Sequence, residues 1–94
     1  MKFEWDKNKN KANKIKHGVS FKEAEGVFYD EYAVVSFDEE HSEDEERFVI
    51  IGQDKILREM TVCHCYRGED KEVIRIISAR KATESESDIY NGRL

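Results

Sequence analysis

The stretch "VIRIISARKATESESDIY" (73–90) decides the fold, because it passes from a β-branched run into a polar, capped segment. Residues 72–79, "EVIRIISA", read as a strand. Thr83 then stands as N-cap with Glu86 at N3, a capping box that opens a C-terminal helix. The strand and its end carry Arg75, Arg80 and Lys81. Burying such charges costs several kcal/mol unless they are paired, so stability alone does not account for them. Strict alternation puts Arg75 with Val73 and Ile77 on one face, and Ser78 and Arg80 with Ile74 and Ile76 on the other. Isoleucines on both faces make this the expected centre of the sheet.

Upstream, "YAVVSF" (32–37), "RFVIIGQ" (47–53) and "ILREMTVCHCY" (56–66) read as three further strands. The short polar turns "GQDK" and "RGEDK" make the last three strands an antiparallel meander. Earlier still, "KFEW" alternates as a short strand. A helix follows over "DKNKNKANKIKHG", with a thin stripe of Trp5, Asn8, Ala12 and Ile15. Gly18 is placed to end it in the left-handed conformation. Ser20 and Glu23 form a first capping box for a second helix, "FKEAEGVFYD", with Phe21, Ala24, Val27 and Phe28 on one face. The expected class is α+β: an N-terminal strand and two helices, a four-stranded antiparallel sheet that the N-terminal strand can join, and a short C-terminal helix.

Ninety-four residues make one domain over 1–94. The first 22 residues hold seven lysines against Glu4 and Asp6. The other 72 hold nine Lys/Arg against nineteen acids, seven of them in "DEEHSEDEE" (38–46). An acidic chain with a pI near 5.2 is no general nucleic-acid coat, though a local cationic cleft remains compatible with it. No apolar run approaches the roughly 20 residues that cross a bilayer. "MKFEWDKNKNK" has no apolar signal-peptide core, which predicts a cytoplasmic location and no membrane partner. Cys63 and Cys65 share a strand face while His64 points away, so without a bulge the three do not converge on a metal. They read as thiols packed as small hydrophobes.

The ordered pieces "FEWDKNKNKAN", "KHGVSFKEA", "VFYD", "HSEDEERFVIIG" and "RIISARKAT", followed by Glu86 and Tyr90, resemble the BrnT family of bacterial type II toxins. The resemblance covers nearly the whole chain. It implies a RelE-like fold and RNA cleavage that blocks translation. It further implies neutralisation by a BrnA-like antitoxin, which binds DNA through its own domain. No cofactor or metal is implied. The chain departs from its relatives at "CHC" and in the acidic "ESESD" (84–88), which weakens attraction to phosphate.

Metal-independent cleavage of RNA uses the 2′-hydroxyl as nucleophile. It needs a base, an acid and cations around the phosphorus. Arginine suits the last role through its planar, permanently charged fork. Arg80, at a strand end that leads into a helix, Arg75 and Arg47 are the candidate catalytic cations. The other reading of Arg75 is a structural ion pair with one of the many available acids, Glu46 or Glu59 for example. His17, at the end of the first helix, is the candidate general acid, or else caps the "KHG" turn. Lys9 lies on the same polar stripe as Asn13 and His17. With Arg67, Lys81 and Tyr90 it forms the candidate RNA-binding set, Tyr90 by stacking on a base. Arg67 can equally be a solvated turn residue, and Tyr90 can equally dock the last helix. His41 reads as a solvated residue of the acidic loop. A toxin that has lost catalysis but still binds an antitoxin is the alternative function, and a nucleic-acid adaptor is a third.

Overall fold

The computed structural model describes residues 1–93. Strand β1 (Lys2–Glu4) leads into helix α1 (Lys7–His17) and the short α2 (Phe21–Ala24), which tightens to a 3-10 turn at Glu25–Tyr29. Strands β2 (Val34–Phe37), β3 (Phe48–Gln53), β4 (Glu59–Arg67) and β5 (Val73–Lys81) follow, then α3 (Glu84–Tyr90). The local signals account for most boundaries. Asp6 caps α1 by accepting from the amides of Asn8 and Lys9, and Gly18 ends it at φ 72°. Both capping boxes form, Ser20 with Glu23 and Thr83 with Glu86. The second helix is shorter than its periodicity predicts. Gly26, at the start of the 3-10 turn, lies so close to the Asp54–Lys55 backbone that an added Cβ would meet Lys55 N at 3.1 Å.

The sheet has five strands in the order β1-β5-β4-β3-β2. Strand β1 joins β5 in parallel, Phe3 opposite Ile74, so the sheet is mixed rather than a four-stranded antiparallel one. The true centre is β4. Strand β5 is interior, between β1 and β4.

Helices α1 and α2 cover one face. Phe21, Ala24 and Val27 pack on Ile50, Met60, Val62, Ile74, Ile76 and Ala79. Burying such side chains is worth about 1.5–3 kcal/mol each. The inner face of α1 is not the thin apolar stripe: Ile15 is 82% exposed, and the helix docks through the buried Asn13. The Asn13 amide donates to the carbonyls of Val19 and Ala79, while its oxygen accepts from the Ala79 amide. Asn10 adds a bond from the Phe21 amide. A lysine-rich helix with little apolar surface is thus fixed to the sheet by saturated polar contacts.

A bulge changes the parity of β5. Cys63 pairs with Ser78 and His64 with Ile76, leaving Ile77 unmatched. Beyond it, Ala79 turns onto the helix-covered face, while Arg80 shares the opposite face with Ser78 and Arg75. The alternation that separated Arg75 from Arg80 is therefore corrected by one extra residue.

Candidate functional site

Helix α3 crosses the second face of the sheet at one end. Ser87 donates to Glu59, and Tyr90 donates its hydroxyl to Asp30 Oδ2 at 2.7 Å. Glu86 accepts twice from Arg80, at 2.7 and 3.0 Å. These contacts leave a cavity of about 330 Å³ beside the helix. It is lined by Asp38, His41, Arg47, Thr61, Ser78, Arg80 and Glu86, with Val49, Cys63 and Ile77 between them.

The acidic loop after β2 supplies one wall. Asp38 donates its amide to the carbonyl of Arg47 at 2.9 Å. Ser42 staples the same two residues: its hydroxyl donates to the Asp38 carbonyl and accepts from the Arg47 amide. That closure holds Arg47 at the entrance of β3 close to Asp38. His41 Nδ1 lies 2.9 Å from Asp38 Oδ2, so the imidazole is anchored while its side chain remains 60% exposed. Across the cavity, Arg80 reaches from the end of β5. Thr61, opposite Arg80 in the ladder, has a buried hydroxyl with no hydrogen-bond partner among the described residues.

The electrostatics follow from these contacts. The Arg80 guanidinium, with help from the Thr83 amide, holds the Glu86 carboxyl down to about 2 despite partial burial. Glu86 in turn raises Arg80. Burial pushes the Cys63 thiol up, so this residue lines the cavity as a neutral group. The arrangement can bind a phosphate between two guanidiniums and place an oriented imidazole beside it.

The structure brings together only part of the set expected from sequence. Arg47 and Arg80 share the cavity. Arg75 does not line it: its guanidinium pairs with Glu4 of β1 at 2.7 Å, not with Glu46 or Glu59. His17 and Lys81 line a different cavity, between the end of α1 and the start of α3. Arg67 pairs with Glu45 at 2.9 Å, at the far end of β4 from Arg80. Lys9 is exposed on α1. Tyr90 is held by Asp30, with burial and that carboxylate raising its hydroxyl to about 12. Cys65 is buried and Cys63 half-buried, and among the described residues no cluster of His, Cys, Asp and Glu could hold a metal ion.

Sequence reasoning missed Asp38, His41, Ser78 and Thr61. The one available signal was Asp38 and His41 at i, i+3 just after a strand, masked by the surrounding acids. None of the helices among the described residues is long and apolar enough to cross a membrane.

The chain matches, over residues 5–86, the family model described as ribonuclease toxin, BrnT, of type II toxin-antitoxin system. The crystal structure of the Brucella abortus ribonuclease toxin BrnT is similar at 29% identity with a TM-score of 0.67, covering 89% of this chain and 99% of that one. Comparison with curated proteins gives no match. A family model spanning most of the chain, with a solved relative of the same architecture, leads to one assignment: this chain belongs to the BrnT family of ribonuclease toxins of type II toxin-antitoxin systems.

Proposed function

We propose that this chain is a bacterial cytoplasmic toxin that cleaves RNA without a metal ion in the cavity beside α3. In this reading it blocks translation and is neutralised by a BrnA-like antitoxin. The observation that carries the reading is the convergence of Arg47, Arg80 and His41, from a strand entrance, a strand end and a loop, on one cavity. Arg47 and Arg80 grip the non-bridging oxygens and stabilise the charge that grows on the phosphorus centre. His41, oriented by Asp38, takes the proton of the 2′-hydroxyl. Attack by that oxygen breaks the bond to the 5′-oxygen, which takes a proton from water or from the imidazolium just formed, leaving a 2′,3′-cyclic phosphate and a 5′-hydroxyl end.

The test is incubation of the purified chain with RNA in EDTA, alongside Arg80→Ala, Arg47→Ala and His41→Asn. Cleavage by the wild type with cyclic-phosphate ends, lost in the variants, is the expected result. RNA left intact at stoichiometric protein overturns the reading.

One observation favours a second reading, an antitoxin-binding relative without catalysis: Glu86 already occupies the Arg80 fork. Growth arrest on expression, abolished by a folded Arg80→Ala, would dispose of it.

A further inference from the structure

Strand β2 ends the sheet, and all four of its residues are exposed. Along its outer side, alternate backbone N–H and C=O groups have no partner strand among the described residues. The side chains do nothing to protect that edge. Val35 is 51% exposed and Phe37 46% exposed, with Val34 close behind. Phe37 continues inward through Phe48, ring centroids 5.5 Å apart, to the partly exposed Tyr66 at 5.3 Å from Phe48. Proteins usually guard an edge with lysine, proline or a covering element, and an apolar open edge marks a place where another strand adds.

The loop beside this edge is predominantly acidic, although Arg67 and Lys71 pair with Glu45 and Glu46. The loop that leaves β2 carries Glu39, Glu40, Glu43 and Asp44, all exposed and without an ion-pair partner among the described residues. Glu45 and Glu46 border Phe48 and Tyr66. A segment that satisfies both features has apolar residues at every second position, to lie beside Val35 and Phe37, and cations to meet the carboxylates.

We propose that the free edge of β2 and the carboxylates of residues 39–46 form one docking surface for a basic, extended segment of the antitoxin, which adds to the sheet as a sixth strand. This rests on the toxin reading above. The loop that would hold the segment's cations also carries Asp38, His41 and Arg47, so the seated segment adjoins the RNA cavity.

The experiment titrates the purified chain with a purified BrnA-like antitoxin, by calorimetry at two salt concentrations. The variants are Val35→Lys, the pair Glu43→Lys with Asp44→Lys, and Ile15→Lys on exposed α1 as the control. Thermal unfolding of each variant verifies the fold. Val35→Lys is expected to weaken binding about tenfold or more, as loss of a central apolar contact does. The charge reversal is expected to weaken it and flatten its salt dependence. Ile15→Lys should bind as the wild type does. Hydrogen exchange should show amides of 34–37 becoming protected in the complex. Tight binding that is indifferent to both edge and loop variants overturns this surface while leaving the toxin reading intact. Failure of the wild type to bind the antitoxin overturns the partner reading itself. A free chain that is a dimer, and that Val35→Lys makes monomeric, assigns the edge to a second copy and also overturns the proposal.

Discussion

Arg80 and Glu86, six residues apart across the strand-to-helix junction, clasp through two hydrogen bonds of 2.7 and 3.0 Å. The same carboxylate accepts the Thr83 amide in the capping box at 2.8 Å. One side chain therefore caps α3 and fixes the cation that the proposed chemistry requires. Substrate phosphate must compete with that carboxylate for the guanidinium.

Glu86→Gln keeps a capping group but removes the charge. It should destabilise the fold by about 1–2 kcal/mol, after allowance for the partly exposed arginine. Urea unfolding at neutral pH measures the loss. The same variant should bind single-stranded RNA more tightly, because Arg80 is released.

Acid should expose the clasp. The Glu86 carboxyl titrates near 2 in the folded chain against an ordinary 4.5, so its stabilisation is present above the ordinary value and is lost as pH falls toward 2. Glu23, also held at about 2 by the Ser20 amide and by Arg58, acts in the same direction. Melting temperatures between pH 5 and 2 should fall steadily, and Glu86→Gln should flatten part of that slope.

Arg80→Ala and Arg47→Ala should each lower RNA cleavage by about a hundredfold or more, the scale on which an oriented charge acts in a transition state. Arg75→Ala should leave it within about twofold, since a half-exposed pair with Glu4 contributes about 1 kcal/mol or less to folding. Single-turnover cleavage rates distinguish the three.

His41→Asn should reduce cleavage by about 10²–10⁴-fold, the scale of a lost positioned base. His17→Asn should preserve the rate, because His17 lines the other cavity.

Asn13→Ala should be the most destabilising of the polar substitutions. It strands the buried amide and carbonyl of Ala79 and the Val19 carbonyl, at about 1–3 kcal/mol for each group left unpaired. Chemical denaturation would register a loss of at least about 2 kcal/mol.

The caps were legible because they are short-range chemistry. Ser20 and Glu23, Thr83 and Glu86, and the αL glycine at 18 each act within a few residues and form as their spacing predicts. The same holds for the antiparallel order of β3, β4 and β5, which short turns impose. The inner face of α1 was less legible, because an asparagine looks polar until its backbone partners 66 residues away are known.

By itself the sequence determined the elements, their order, and Arg80 at the end of a strand that leads into a capped helix. Tertiary structure alone decided which side chains meet. The unmatched Ile77 reverses the parity of β5 and brings Arg80 to the face that α3 covers. Ser42 then closes the acidic loop and sets Asp38, His41 and Arg47 at the same cavity. Periodicity describes one strand at a time. A bulge and a loop closure belong to the pairing between strands, and that pairing is fixed only when the whole sheet assembles.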